Sequence, residues 1–296
     1  MNIHRFSVSV NCCVDGTHEA YYDDQGLIML PESYQETGMP TRLVICCHGA
    51  GGSVTANDSQ IEHGNLARYL LANGFAVMDV NGLPEEYANE NGISLRHNVG
   101  SPIAISSLVK GYQYCMEHFH LYPEVFVHGS SMGGMSSTNL VLSQQLPVIA
   151  QSGHCPALDT YSVIFLNPKV EGFSKAVGKI YGLEQDENGE YIYSEEKILG
   201  HNPIRNPKIA HYPVPVKFWH CIDDPIVPFK VTERFVKLLQ ENGADVHLCA
   251  YSFNSHSVQL VGEPVENPSG NVFLDGERLK VQPAVEDVLL WYKQFC

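Results

Sequence analysis

The chain has 296 residues, 44% of them hydrophobic, and a formal charge of −15. That length and apolar content suit one large α/β domain or two small ones, and the acidic balance argues against a nucleic-acid partner, because phosphate binding wants a basic face. The opening "MNIHRFSVSVNCC" lacks the apolar run of a signal peptide, and no segment approaches the length of a membrane span. With no such signal, nine cysteines read as reduced, mostly buried thiols of a cytoplasmic protein. The pairs Cys12-Cys13 and Cys46-Cys47 lack zinc-ribbon spacing, so no metal is expected.

In chain order, "RFSVSV" and "GLIMLP" predict the two strands of a hairpin, and "RLVICC" a buried strand. "EHGNLARYLLANG" carries Leu66, Tyr69 and Leu70 at helical spacing and stops at Gly74. A strand "FAVMDV", a helix "SPIAISSLVKGYQYCMEHF" and a strand "EVFVHG" follow, then a serine-rich turn, its helix and the strand "PVIAQSG". This alternation predicts a mostly parallel sheet with helices on both faces. From about Ala157 to His211 the rhythm breaks, and "EQDENGEYIY" reads as an exposed hairpin or loop. The alternation returns with the strand "VPVKFWHC", the helix "PFKVTERFVKLLQENG" and the strand "ADVHLCAYS". A short hairpin, "NVFLDGERLKV", with no role assigned, precedes the terminal helix "PAVEDVLLWYKQF". Residues 1–296 thus read as a single domain, with 157–211 as an insertion over the sheet's edge.

The serine turn reads "VHGSSMGGMSS". In G-x-S-x-G a sharp strand-to-helix turn strains the nucleophile, and glycine is needed two residues to either side because bulk there would strike the neighbouring strand and helix. Gly129 and Gly133 frame Ser131, whereas Ser130 is flanked at those places by His128 and Met132. Ser131 is therefore the candidate nucleophile. A serine hydroxyl needs a base in reach, an acid to orient that base, and donors for the oxyanion, and in such sheets these groups gather at the carboxyl ends of strands. "CIDDPIVPF" offers Asp223 and Asp224 after a strand. The prolyl turn favours Asp224, although an acid before a helix is often only a cap. "SFNSHSV" places His256 in a polar loop after the next strand, while His220 and His247 read as structural. The glycine-rich "CCHGAGGS" suggests the N–H of Ala50, with Gly51 second, as one oxyanion donor and that of Met132 as the other. His48 reads as a brace for that loop. No P-loop lysine follows these glycines.

"HGAGGS", "GSSMGG", "DDPIVP" and "NSHS", in this order, resemble the α/β-hydrolase superfamily, and within it the esterase branch near prolyl-oligopeptidase-type catalytic domains and feruloyl and acetyl esterases. The resemblance runs from about residue 25 to the C-terminus, except for the insertion. It implies an eight-stranded sheet, a Ser–Asp–His triad and a lid at 157–211. Two departures stand out: Ser130 precedes the nucleophile where these families often carry His, Tyr or Phe, and the 271–281 hairpin is unusual. The expected activity is hydrolysis of a small-molecule carboxylic ester through an acyl-enzyme, with no cofactor needed. Alternatives are an acyltransferase or a peptidase on the same triad, and an inactive binding protein. Ala50, Gly51, Met132, His154 and Cys155 are expected to line the substrate pocket. The lid aromatics Tyr161, Phe165, Phe173, Tyr181, Tyr191 and Tyr193 form its wall or pack the insertion onto the body.

Overall fold

The computed structural model describes residues 2–55, 59–170, 172–266, 273–274, 277–278 and 280–296. Its strands are β1 (Asn2–Asn11), β2 (Tyr21–Leu30), β3 (Thr41–Cys47), β4 (Ala76–Val80), β5 (Leu121–Ser130), β6 (Val148–His154), β7 (Val216–Cys221) and β8 (Val246–Tyr251). They form one sheet of order β1-β2-β4-β3-β5-β6-β7-β8. β2 runs antiparallel to both β1 and β4, and every other pairing is parallel. The edge strand β1 alternates buried Phe6, Val8 and Val10 with exposed Ser7 and Ser9. β3 and β4 are mostly apolar and almost wholly buried, as strands covered on both faces must be.

The helices are α1 (Gln60–His63), α2 (Asn65–Ala72), α3 (Glu85–Glu90), α4 (Pro102–His118), α5 (Gly133–Ser143), α6 (Phe173–Tyr181), α7 (Glu195–Ile198), α8 (Phe229–Glu241) and α9 (Pro283–Lys293). They divide the core in two. On one face α4, α5 and α8 bury Ile103, Leu108, Leu140 and Phe235, joined by Val177 and Ile180 of α6. On the other, α2 and α9 bury Tyr69, Leu70, Val288, Trp291 and Tyr292. Ser101 caps α4 through the Ala104 N–H, and Gly74 (φ +86°) turns the chain out of α2.

Residues 157–211 depart from the strand–helix rhythm as expected, with a π-helical turn at Tyr161–Phe165, α6, α7 and short 3₁₀ turns. "EQDENGEYIY" is a turn closed by a single antiparallel bridge, Gln185 to Tyr191. In the predicted 271–281 hairpin, Phe273–Leu274 pair with Glu277–Arg278, and Lys280–Val281 pair with Val265–Glu266. Residues 271, 272, 275, 276 and 279 lie outside the described residues. All nine cysteines are free thiols. No helix among the described residues is long and apolar enough to cross a membrane.

One buried carboxylate couples the fold to pH. Asp24, on β2, accepts hydrogen bonds from the Gly82 N–H (2.8 Å) and the Ser107 hydroxyl. Burial outweighs these bonds and raises its pKa from the ordinary 3.8 to about 6. An acid whose folded pKa is raised binds more protons folded than unfolded, so its contribution to stability falls as pH rises between those two values. Urea unfolding of wild type and Asp24→Asn should therefore show the difference moving in the variant's favour from about pH 4 to about pH 7 and then levelling. Parallel profiles would remove this reading of Asp24.

Candidate active site

β5 delivers the chain to Ser131, and α5 carries it away. Ser131 has φ +53°, in the left-handed region that costs a non-glycine residue about 1–2 kcal/mol. The turn is clamped into place. The Ser131 N–H donates to the His154 carbonyl (3.0 Å), and its own carbonyl accepts from Gly134 (2.9 Å) and Ala157 (2.8 Å). A Cβ on Gly133 would strike the carbonyls of Cys47 and His48, and one on Gly129 would strike Ser137 and Gly133. The glycine frame is thus a matter of space at both positions.

His256, from the loop after β8, places Nε2 2.7 Å from Ser131 Oγ. Its Nδ1 lies 2.8 and 3.1 Å from the two Asp224 oxygens. Asp224 sits just past β7, where its Oδ1 also accepts the N–H groups of Ile226 (2.8 Å) and Val227 (3.0 Å). Burial alone would raise its pKa. The hydrogen bonds from His220, His256 and Ile226 outweigh that and hold it well below the usual carboxylate range. Asp223, its neighbour, is exposed. The structure therefore brings Ser131, His256 and Asp224 into one hydrogen-bonded line across 125 residues of sequence.

The loop after β3 faces this line. Gly52 N–H closes a turn on the Gly49 carbonyl (3.2 Å), which puts Ala50 and Gly51 at its tip. Neither the Ala50 nor the Met132 N–H is taken up by a hydrogen bond to a described residue. Gln60 of α1 braces the loop by accepting from the Gly49 N–H (3.1 Å). His48 is buried and pairs with Asp79 (2.8 Å), which makes it a brace as expected.

Two cavities meet at Ser131 and His256. One, of about 340 Å³, is apolar and lies under the insertion, against Met132, Met135, Val163, Ile164, Val170 and Phe173. The other, of about 280 Å³, lies on the α2 face against Gly49, Gln60, His128, Ser130, His154 and Val258. Ala50 borders both. Two expectations need correction. Gly51 lines neither cavity and sits exposed at the tip of the turn. Cys155 lines neither as well: its N–H is bound to the Trp219 carbonyl (2.8 Å), φ is +42°, and the side chain is buried. Among the described residues, Phe173 is the one aromatic of the insertion that lines either of these two cavities, stacked on His97 at 3.9 Å. Tyr161 and Phe165 pack on Tyr193 instead.

Spacing alone did not single out His220, which reaches Asp224 Oδ2 (3.2 Å) and the Val227 carbonyl (3.0 Å) through Nε2. It is structural, as expected, but the structure it holds is the acid. The cavity residues Val163, Ile164 and Val170 had no sequence signal beyond lying in the insertion. For metals, two groups of three ligand atoms lie within 4.8 Å among the described residues: Cys13, Asp15 and His18 on the β1–β2 turn, and Cys155 with Asp224 and His256. Burial pushes the Cys155 thiol far up, against the thiolate a metal needs.

No family model matches the chain, and no curated protein matches it in sequence. Solved structures do match in fold. A Mycobacterium tuberculosis puromycin-hydrolysing peptidase superposes with TM-score 0.62 at 18% identity, over 85% of this chain and 36% of its own. A Pyrococcus horikoshii acylaminoacyl peptidase gives 0.61 at 13%, over 86% and 38%. An Agrobacterium vitis protein described as a hydrolase gives 0.51 at 17%, over 86% and 92%. The chain spans little more than a third of the two peptidases' length. Strand order and superposition together define the α/β-hydrolase fold.

Proposed function

We propose that this chain is a serine hydrolase that cleaves carboxylic esters through an acyl-enzyme. The observation that carries this reading is the continuous line from Ser131 Oγ through His256 to Asp224, opening onto both cavities. Ser131 Oγ attacks the ester carbonyl carbon while His256 Nε2 takes its proton. Asp224 holds Nδ1–H and offsets the imidazolium charge. The oxyanion is received by the N–H groups of Ala50 and Met132. His256 then protonates the departing alcohol, and water repeats the sequence in reverse. The apolar cavity suits the acyl group. The insertion covers it as a lid, tied to the acid loop by Asn167 to the Ile226 carbonyl and Lys169 to the Pro225 carbonyl (2.7 Å each).

The fold neighbours described as peptidases raise a second reading, an amide-cleaving enzyme. An aminopeptidase needs an acidic group for the substrate's free ammonium. Among the described residues no Asp or Glu lines either cavity, which favours an ester or a blocked substrate. A fluorophosphonate probe should label Ser131. Nitrophenyl esters from acetyl to octanoyl should be turned over faster than peptide amides. An unlabelled, folded protein would sink the hydrolase reading, and preference for peptide amides would replace it with the second.

A further inference from the structure

A chain of hydrogen bonds runs from α9 to the wall of the cavity on the α2 face, and its direction follows from donor and acceptor chemistry. Tyr292 of α9 places its hydroxyl 3.0 Å from the Val127 carbonyl and 2.6 Å from Ser152 Oγ. Ser152 Oγ lies 2.7 Å from His128 Nδ1, and His128 Nε2 lies 3.1 Å from Ser130 Oγ. A carbonyl only accepts, so the single Tyr292 proton points at Val127. Ser152 must then donate to Tyr292, and His128 Nδ1–H to Ser152. His128 Nε2 is left as an acceptor, and the Ser130 proton must go to it. One proton order alone satisfies all four contacts. It leaves Ser130 with oxygen lone pairs and no proton toward the cavity it lines.

A second group points the same way. His154 lines this cavity, is 2% exposed, and makes no hydrogen bond of ordinary geometry through either ring nitrogen, although the Ala284 backbone lies against it. A buried polar ring of this kind needs a partner. Burial pushes His154 down to about 4 and His128 well below its ordinary value, so both are neutral at pH 7. No Asp, Glu, Lys or Arg lines the cavity among the described residues. The cavity therefore offers hydrogen-bonding groups without charge, beside Ser131 and His256.

We propose that this cavity is the alcohol subsite of the hydrolase, and that Ser130 and His154 select a neutral alcohol carrying at least one further hydroxyl, a polyol or sugar. The inference rests on the hydrolase reading above. By reversibility, the same subsite receives any alcohol that replaces water in deacylation. The acceptor hydroxyl gives its proton to His256 Nε2, its oxygen bonds to the acyl carbon, and the bond to Ser131 Oγ breaks as that oxygen takes the proton back.

The test is the partition of one acyl-enzyme. A nitrophenyl ester of a short acid is hydrolysed with propan-1-ol or propane-1,2-diol at equal concentration, and the acylated alcohol is measured against free acid. In the wild type the diol should capture the acyl group about three- to tenfold more often than propan-1-ol. Ser130→Ala should bring the two together. The ratio is internal to each enzyme and does not depend on how fast that enzyme is acylated. Release of nitrophenol with no diol advantage in the wild type would overturn this inference and leave the hydrolase reading standing. The same holds for an advantage that survives Ser130→Ala. No nitrophenol and no Ser131 labelling in folded wild type would overturn both. Should Ser130→Ala fail to fold, the wild-type ratio still decides.

Discussion

Ser131→Ala should lower kcat/KM for nitrophenyl esters by on the order of 10³-fold or more, to what the oxyanion donors and binding alone supply. The loss is large because no other hydroxyl shares the geometry of Ser131 Oγ, 2.7 Å from His256 Nε2. Ser130, next in the chain, is the control. Its hydroxyl faces His128, whose depressed basicity makes it a poor proton acceptor at neutral pH, and His128 has Ser152, not a carboxylate, behind it. Ser130→Ala should therefore cost far less. Steady-state kinetics with fluorophosphonate titration of active sites measures both, and equal losses would remove the assignment. The fold should tolerate Ser131→Ala, since the backbone clamp from His154 and Ala157 does not use the hydroxyl.

Asp224→Asn should lower kcat by about 10³- to 10⁴-fold. The carboxylate accepts from four donors in five contacts: His220 Nε2, the N–H groups of Ile226 and Val227, and His256 Nδ1, which meets both oxygens. An amide replaces one accepting oxygen by a donor. His256 then loses its orienting partner and the tautomer that leaves Nε2 free to accept. Stability should respond as well. The folded pKa of Asp224 is depressed, so its contribution is present above the ordinary carboxylate range and is lost as pH falls through the folded value. The variant's stability deficit should thus be largest near neutral pH and shrink in acid. Asp223→Asn, at an exposed position, should be mild in both respects. A more damaging Asp223→Asn would mean that the acid had been misplaced by one residue.

The sequence alone separated Ser131 from Ser130 because the rule behind it is local: two glycines, two residues away, where a Cβ has no room. The sheet was legible for a similar reason. Buried strands such as "RLVICC" and amphipathic helices such as "PFKVTERFVKLLQENG" carry their burial in their composition. Asp224 could be favoured over Asp223 because Pro225 and Pro228 fix the turn. Gly51 and Cys155 escaped this reading because position after a strand does not fix what faces a cavity: Gly51 sits exposed at the tip of its turn, and the Cys155 side chain, at φ +42°, is buried. The rest belonged to tertiary structure. His220 meets Asp224 only when β7 is folded against its following loop. The proton order at Ser130 is set by Tyr292, 140 residues beyond Ser152, once α9 packs on the sheet. The two cavities, one mostly apolar and one of mixed, uncharged lining, arise between elements from opposite faces of the sheet, and no segment of the chain carries either by itself.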